Sequence, residues 1–175
     1  MASLRRLDLV KPLRDLAAAG KPLVGICLGM QLLMEESFEF GRHQGLGIID
    51  GDVVRLQHAE GGSPRLKVPQ VGWNRIHAAR ETSWEGSLLE SVPEGEFMYF
   101  VHSFYVRPAD ERVVLSTTRY GAVQFCSSLR RGAVFACQYH PERSGPQGIR
   151  LYQNLAAQLL QARSEVDDVV SQHRG

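Results

Sequence analysis

Apolar residues recur along the chain in short clusters, and their spacing predicts alternating helices and strands. Leu9, Leu13 and Leu16 recur at helical spacing and Gly20 follows them, so we predict a first helix that covers one face of a sheet. The segment Leu23–Ile26 is a short apolar run with proline and glycine near its ends. This pattern is typical of a strand that is buried on both faces in a parallel sheet.

The middle of the chain predicts one helix followed by a series of short strands. The helix is expected at Leu28–Ser37, directly after the first strand. An exposed loop is expected at Gln57–Arg65, where glycine, serine and proline cluster. The short spacing of the strands indicates antiparallel additions to a parallel core. The predicted strands are Leu46–Ile49, Val53–Leu56, Trp73–Ile76, Phe97–Val101, Val113–Thr117, Val123–Cys126 and Ala133–Gln138.

The end of the chain predicts a final helix and a flexible tail. Pro146 suits the first turn of a helix. One apolar stripe of this helix is expected to pack on the sheet, formed by Ile149, Tyr152, Ala156 and Leu159. We therefore expect a single α/β domain over residues 1–163 and a flexible tail over 164–175.

Composition narrows the classes of function without identifying one. A chain of 175 residues is long enough for one domain with a sizeable core. Its 20 basic and 19 acidic side chains nearly cancel, which argues against a nucleic-acid partner. The three cysteines lack the spacing of metal sites, and no long apolar stretch occurs. We expect a cytoplasmic protein with free thiols, with no membrane partner and no cofactor.

Cys27 lies where a nucleophile is displayed in an elbow between a strand and a helix. The chain must reverse so tightly there that small residues are expected two positions before and after it, and these are Gly25 and Gly29. The N–H of Leu28, at the start of the next helix, is suitably placed to donate to an oxyanion. The alternative is a buried structural cysteine at the end of a strand.

His140 and Glu142 supply a candidate base and a carboxylate to orient it. They are separated only by Pro141, which fixes the backbone between them. A carboxylate beside an imidazole selects the tautomer that accepts a proton from a nucleophile. The alternative for His140 is an ordinary polar strand end. A zinc site formed with Cys27 and Cys137 is disfavoured because the paired ligand spacings are missing.

These residues give the chain a resemblance to the class I (triad) glutamine amidotransferases. The family signature is a Gly-x-Cys-x-Gly elbow followed much later by His-Pro-Glu. Three further segments, at 68–74, 99–105 and 138–144, resemble one branch of the family, the glutaminase (HisH) subunits of imidazole glycerol phosphate synthase. The likeness runs from about Leu4 to Leu160.

The resemblance implies a fold, a reaction and a partner. The fold is a flavodoxin-like α/β fold with a parallel core sheet and antiparallel additions. Cys27 would attack the side-chain amide of glutamine, His140 would transfer protons, and Glu142 would orient His140. The ammonia would pass to a cyclase, a TIM-barrel subunit, which makes imidazole glycerol phosphate and an aminoimidazole carboxamide ribonucleotide in histidine biosynthesis.

The resemblance also implies roles for residues around the triad. The substrate-binding residues would be Gly25, Leu28, Gln31, Ser103 and Phe104. The residues facing the cyclase would be Trp73, Asn74, Tyr99 and Arg143. For Gln31 the alternative is a residue on the helix surface, and for Trp73 it is core packing.

The chain departs from the family pattern at its start. Members begin with further strands and a Pro-Gly-Val-Gly loop that supplies a second oxyanion donor, whereas this sequence opens inside the helix before the elbow strand. We therefore expect N-terminal strands to be missing, the strand bearing Cys27 to lack neighbours, and the chain to be weakly stable and poorly active. Two alternatives remain open. One is the amidotransferase part of another synthase, for CTP, GMP or anthranilate, and the other is an inactive fragment that binds a partner.

Overall fold

The structure is a computed structural model that describes residues 1–57, 67–80 and 82–172. The described residues form four α-helices, eleven strands and two short 3-10 helices, at Glu111–Val113 and Pro141–Arg143. The helices are α1 (Ala2–Arg6), α2 (Val10–Ala18), α3 (Leu28–Leu32) and α4 (Gly145–Gln172). The strands are β1 (Leu23–Ile26), β2 (Met34–Ser37), β3 (His43–Gln44), β4 (Ile49–Arg55), β5 (Gln70–Arg75), β6 (His77–Ala78), β7 (Phe97–His102), β8 (Phe104–Pro108), β9 (Val114–Tyr120), β10 (Val123–Arg131) and β11 (Val134–Cys137).

The strands are arranged in two mixed sheets and one two-stranded ribbon. The five-stranded sheet has the order β1-β11-β10-β9-β6 and the four-stranded sheet has the order β3-β2-β4-β8. Strands β5 and β7 form the ribbon. Parallel pairing occurs between β1 and β11 and between β2 and β4, whereas the other described pairs are antiparallel. The expected combination of parallel strands with antiparallel additions is confirmed.

Strand β1 lies at an edge of the five-stranded sheet. It pairs with β11 in the register Leu23↔Val134 to Ile26↔Cys137. The expectation that this strand lacks neighbours is therefore wrong on the β11 side. Several large apolar side chains in the segments that precede and follow β1 along the chain are exposed, among them Leu7, Leu9, Leu16 and Leu28.

Two apolar clusters form the core. The first lies under α2 and α3 and includes Met30, Met34 and Leu129. The second joins the ribbon to the five-stranded sheet through Phe100, whose ring lies edge-on to Phe125 and Tyr139 at centroid distances of 6.0 and 5.7 Å. Because Tyr139 directly precedes His140, this second cluster fixes the segment that carries the candidate base.

The helix predicted at Leu28–Ser37 is wrong in its second half. Helix α3 ends at Leu32, and the residues that follow form β2, which pairs in parallel with β4. The predicted strand Leu46–Ile49 is also wrong, since only Ile49 belongs to a strand. Instead, the N–H groups of Leu46 and Ile48 donate to the carbonyls of Leu32 and Leu33, at 2.8 and 2.9 Å. These bonds satisfy carbonyls that the end of a short helix leaves without partners.

The core-facing stripe of the first helical segment differs from the predicted one. Val10, Leu13 and Ala17 pack against the first cluster, whereas Leu9 and Leu16 are exposed. A separate short helix, α1, precedes the predicted one, with Asp8 between the two in the left-handed region at a φ of 54°. Apolar residues lie on two neighbouring stripes here, so periodicity alone did not select the correct face.

The final helix shows the same ambiguity. Leu151 is buried and Leu155 packs against the second cluster. The predicted stripe is wrong, because its four residues Ile149, Tyr152, Ala156 and Leu159 are exposed.

The predicted loop and tail fall partly or wholly at the edges of the described part of the chain. Most of the loop expected at Gln57–Arg65 lies outside the described residues. Helix α4 runs to Gln172, and the flexible tail expected at 164–175, which includes residues outside the described part, stays a prediction. Within the described part of the chain, no helix combines the length and apolarity needed to cross a membrane.

Candidate active site

Cys27 forms a sharp elbow between β1 and α3. Its backbone is in an unusual conformation for a residue with a side chain, with a φ of 50° and a ψ of −103°. A Cβ on Gly25 would lie 2.9 Å from the carbonyl carbon of Gly29, which no real Cβ tolerates. A Cβ on Gly29 would have no neighbour within 4 Å. The requirement for a small residue is therefore confirmed at Gly25 and is wrong at Gly29.

The sulfur of Cys27 lies near a side-chain amide donor and a backbone carbonyl acceptor. The Nε2 group of Gln138 donates to Sγ at 3.5 Å, and the carbonyl oxygen of Val101 lies 4.0 Å away on strand β7. Burial raises the pKa of the Cys27 thiol, while hydrogen bonds from Leu28 N–H and from Gln138 lower it, and the charges of Glu142 and Glu39 raise it. Because burial is the largest effect, the thiol needs a base to become a nucleophile.

His140 and Glu142 are brought together as the sequence predicted. His140 Nδ1 lies 2.8 Å from Glu142 Oε1, and the carboxylate side chain is about half exposed. The 3-10 helix Pro141–Arg143 turns Glu142 back toward the ring. His140 Nε2 is buried and has no hydrogen-bond partner among the described residues. With Nδ1–H held by the carboxylate, Nε2 is an acceptor that is free to take a proton.

Ser144 ties the backbone of His140 to strand β7. Its hydroxyl donates to the His140 carbonyl at 2.6 Å and accepts from the Tyr99 N–H at 3.0 Å. The His140 N–H donates to the Tyr99 carbonyl at 2.9 Å. We call this closed set of three bonds the Ser144 clasp. Ser144 is 3% exposed, so water competes little for these bonds.

Gln31, Ser103 and Phe104 lie near the elbow but are already engaged with the protein. Gln31 Nε2 donates to the Phe104 carbonyl at 3.0 Å and to Gln138 Oε1 at 3.2 Å. The Ser103 carbonyl accepts from the Leu56 N–H at 2.8 Å. Gln31 is therefore held inside the fold rather than on a free helix surface. Substrate contacts by these three residues, and by Gly25 and Leu28, stay predictions.

Three residues of the site were missed by the sequence analysis: Gln138, Ser144 and His102. Each lies inside or beside one of the quoted motifs, but no spacing rule says where its side chain points. His102 is 5% exposed, and burial lowers its pKa from an ordinary value near 6.5 to about 4. Its Nδ1 lies 2.8 Å from the Phe104 carbonyl, and since a carbonyl only accepts, Nδ1 carries the proton.

One face of the β5–β7 ribbon exposes a continuous set of apolar and aromatic side chains, which we call the ribbon face. It consists of three cross-strand pairs: Val71 with Val101, Trp73 with Tyr99, and Arg75 with Phe97. Trp73 is 55% exposed and meets Tyr99 edge-on at 6.0 Å. Arg143 lies over the Tyr99 ring at 4.2 Å and Arg75 lies over Phe97 at 4.1 Å. The predicted partner residues Trp73, Tyr99 and Arg143 therefore adjoin one another.

Asn74 does not belong to the ribbon face, and two hydrogen bonds within the protein hold its side chain. Its Nδ2 donates to the Arg119 carbonyl at 2.9 Å and its Oδ1 accepts from the Arg75 N–H at 2.8 Å. These bonds give Asn74 a structural role, and its contact with a partner stays a prediction.

Comparison with known proteins identifies the family. The model of the family "Glutamine amidotransferase class-I" matches residues 5–159. The HisH subunit of imidazole glycerol phosphate synthase from Rhodopirellula baltica is 45% identical over 156 residues, which are 89% of this chain and 71% of the relative. The HisH subunit from Aquifex aeolicus is 44% identical over 154 residues, 88% of this chain and 69% of the relative. The chain belongs to the HisH branch of the class I glutamine amidotransferases.

A solved structure supports the same fold. A putative GMP synthase protein from Thermoplasma acidophilum superposes with a TM-score of 0.61 at 16% identity, over 92% of this chain and 69% of that one. At this identity the likeness concerns the fold alone. The α/β amidotransferase fold expected from the sequence is confirmed.

The two glycines of the amidotransferase elbow give opposite expectations for stability. Gly25→Ala places a methyl group against backbone that cannot move aside, so we expect a loss of about 1–3 kcal/mol in the free energy of unfolding. Gly29→Ala adds a methyl group in open space within α3, so we expect no loss and a gain of up to about 1 kcal/mol. Urea unfolding of both variants tests the pair. Equal losses in the two variants would contradict this account of the elbow.

His102 is expected to make the amidotransferase fold sensitive to acid. Its pKa is about 4 in the folded chain and near 6.5 when unfolded, so the unfolded state takes up a proton first as the pH falls. The contribution of neutral His102 to the free energy of unfolding is fully present above pH 6.5, and about 3 kcal/mol of it is lost by pH 4.

Urea unfolding between pH 7.5 and 4.5 measures this loss. His102→Gln should flatten the slope, while His43→Gln, a change at an exposed histidine, should leave it as in the parent chain. An unchanged slope in a folded His102→Gln variant would show that other groups cause the acid sensitivity.

Proposed function

We propose that the chain hydrolyses glutamine to glutamate and ammonia through a thioester on Cys27. The observation that carries the proposal is that the Cys27 elbow and the His140–Glu142 pair, whose Nδ1 and Oε1 atoms lie 2.8 Å apart, follow the neighbouring parallel strands β1 and β11 at the same edge of the sheet. A nucleophile, a base with a free acceptor nitrogen and an orienting carboxylate form a catalytic triad. Membership of the class I glutamine amidotransferases supports glutamine as the substrate.

The first half of the reaction forms the thioester. Cys27 Sγ attacks the side-chain amide carbon of glutamine while its proton passes to His140 Nε2. The carbonyl oxygen becomes an oxyanion that the Leu28 N–H is placed to stabilise. His140 then returns the proton to the amide nitrogen, the C–N bond breaks, and ammonia leaves.

The second half regenerates the cysteine. Water attacks the thioester carbon as it loses a proton to His140 Nε2, with Glu142 stabilising the imidazolium. The C–S bond breaks, the sulfur takes the proton back, and glutamate is released. Every proton that moves is carried by His140, so the reaction needs no cofactor. The three free thiols suit a reducing compartment, and we propose the cytoplasm.

Replacement of the nucleophile tests the reaction directly. Cys27→Ala is expected to lower glutamate release at least about 10³-fold, because the thioester route is lost. An electrophilic glutamine analogue should add its mass to Cys27 and to neither Cys126 nor Cys137, which are buried. Labelling detects a competent nucleophile even in a slow enzyme. Glutamate release that survives Cys27→Ala, or absence of the label on Cys27, would overturn the proposal.

We further propose that the ribbon face contacts a cyclase subunit in a heterodimer. The cyclase would use the ammonia to form imidazole glycerol phosphate and an aminoimidazole carboxamide ribonucleotide in histidine biosynthesis, a lyase reaction. The support is the name of the HisH relatives and the exposure of Trp73 on the largely apolar and aromatic ribbon face. Val101 belongs to this face, and its carbonyl oxygen faces the Cys27 sulfur. The proposed interface therefore adjoins the point where ammonia is released.

Loss of the central aromatic of the ribbon face tests the proposed interface. Trp73→Ala is expected to weaken binding to the purified cyclase subunit by at least about tenfold, because large aromatics at the centre of an interface carry much of its energy. The matched control is Leu160→Ala, which truncates a 69% exposed apolar residue on α4. Isothermal titration calorimetry measures both. Equal affinities of the two variants and the parent chain would exclude this face.

A further inference from the structure

Gln138 is a fully buried polar residue whose side chain joins the nucleophile to the elbow helix. It follows the last residue of β11 and is 0% exposed. Its backbone N–H donates to the Ser127 carbonyl at 2.9 Å, which continues the pairing with β10 and fixes where the side chain starts. Its amide then meets Cys27 Sγ at 3.5 Å and Gln31 at 3.2 Å. A buried amide of this kind is costly unless its bonds are made.

The orientation of the Gln138 amide follows from a chain of hydrogen-bond requirements. The Phe104 carbonyl only accepts, and it lies 3.0 Å from Gln31, so Gln31 must present its NH₂ group there. That same NH₂ group reaches Gln138, which must therefore present its oxygen. The NH₂ group of Gln138 is then left facing the sulfur of Cys27. We call these three bonds the amide relay.

The far end of the amide relay is also fixed. The Phe104 carbonyl accepts a second bond, from His102 Nδ1 at 2.8 Å, and both of its lone pairs are used. Because it faces a carbonyl, Nδ1 carries the proton whether His102 is neutral or charged. The relay therefore keeps its direction throughout the neutral range.

We infer that Gln138 is a positioning residue that holds a hydrogen-bond donor on the Cys27 sulfur and so favours the thiolate needed for attack. The inference rests on the proposed glutaminase function for its purpose, but its geometry is independent of it. A hydrogen bond to a charged sulfur is stronger than one to a neutral thiol, so the donor stabilises the state formed when the proton moves to His140. It also opposes burial and the negative charges of Glu142 and Glu39, all of which favour the protonated thiol.

The donor is needed because two of the other groups near the sulfur, Val101 and Cys137, do not stabilise negative charge. Val101 presents a carbonyl oxygen, which can only accept from the thiol. Cys137 lies near Cys27, and because burial raises the pKa of the Cys137 thiol, it remains protonated and offers no positive charge to the sulfur. Apart from Gln138, the donor acting on the sulfur is the Leu28 N–H, which would turn to the oxyanion when glutamine is attacked.

The test measures ionisation of Cys27 without glutamine. The rate of Cys27 alkylation by iodoacetamide is followed by mass spectrometry from pH 6 to pH 10. Gln138→Leu is expected to move the midpoint to higher pH and to slow alkylation about tenfold at pH 7, because a hydrogen bond to a charged group is lost. In glutamine hydrolysis, kcat should fall about tenfold while KM stays within about twofold, since Gln138 bonds to the sulfur and Gln31, a predicted substrate contact, keeps its bond to the Phe104 carbonyl.

Three variants separate the amide relay from a general effect on packing. Thr118→Val is the matched control, because Thr118 is buried and its hydroxyl has no partner among the described residues; its midpoint should equal that of the parent chain. Gln31→Met frees the Gln138 amide to rotate, so its midpoint should shift in the same direction by less. In the Gln138→Leu background, Gln31→Met should add nothing, because both changes remove the same bond.

The outcomes are distinct. Circular dichroism and urea unfolding check the fold of each variant, and Gln138→Met replaces Gln138→Leu if the latter does not fold. An unchanged midpoint in a folded Gln138 variant overturns the inference, as does a Gln31 effect that persists without Gln138. A shifted midpoint supports the inference even if the parent chain releases no glutamate, and in that case it is the proposed function that fails.

Discussion

The candidate site depends on one constraint, the parallel pairing of β1 with β11. The Cys27 N–H extends that pairing by donating to the Cys137 carbonyl at 2.7 Å, one residue past the end of β1. Because both strands run in the same direction, the residues that follow them leave the sheet at the same edge. Cys27 therefore contacts Gln138, and the segment that carries His140 leaves the sheet at the same edge. The two strands are separated by most of the chain, so the site forms only when the sheet is closed over a long loop.

The sequence predicted those parts of the site whose residues lie within two positions of one another along the chain. The elbow needs Gly25 two positions before Cys27, and His140 needs Glu142 two positions after it, so both were visible as short patterns. Helix α3 was predicted too long because its end is set by Leu46 and Ile48, which bond to its last carbonyls from another segment. Helix propensity depends on the residues of the helix itself, so it does not account for a partner from another segment.

The polar interior of the site was less predictable than its reactive groups. Gln138 lies inside a quoted segment, but its proposed role follows from the direction of its amide, which is set by Gln31 on α3 and, through Gln31, by Phe104 at the start of β8. The exposed stripes of α2 and α4 were misassigned for a related reason, since the apolar pattern fits two faces and the sheet selects one. Sequence periodicity identifies which elements exist, and packing decides how each is rotated.

The Ser144 clasp has a consequence for motion. The Tyr99 N–H donates to the Ser144 hydroxyl, and the His140 N–H donates to the Tyr99 carbonyl. Both bonds join strand β7 to the segment that runs from His140 to Ser144. Neither can exchange its hydrogen with solvent until the clasp opens, and opening it separates strand β7 from the segment that carries His140. Amide hydrogen exchange at these two positions should therefore follow a common opening event. Any molecule that steadies the Tyr99 side of the clasp would slow exchange at His140 without touching it.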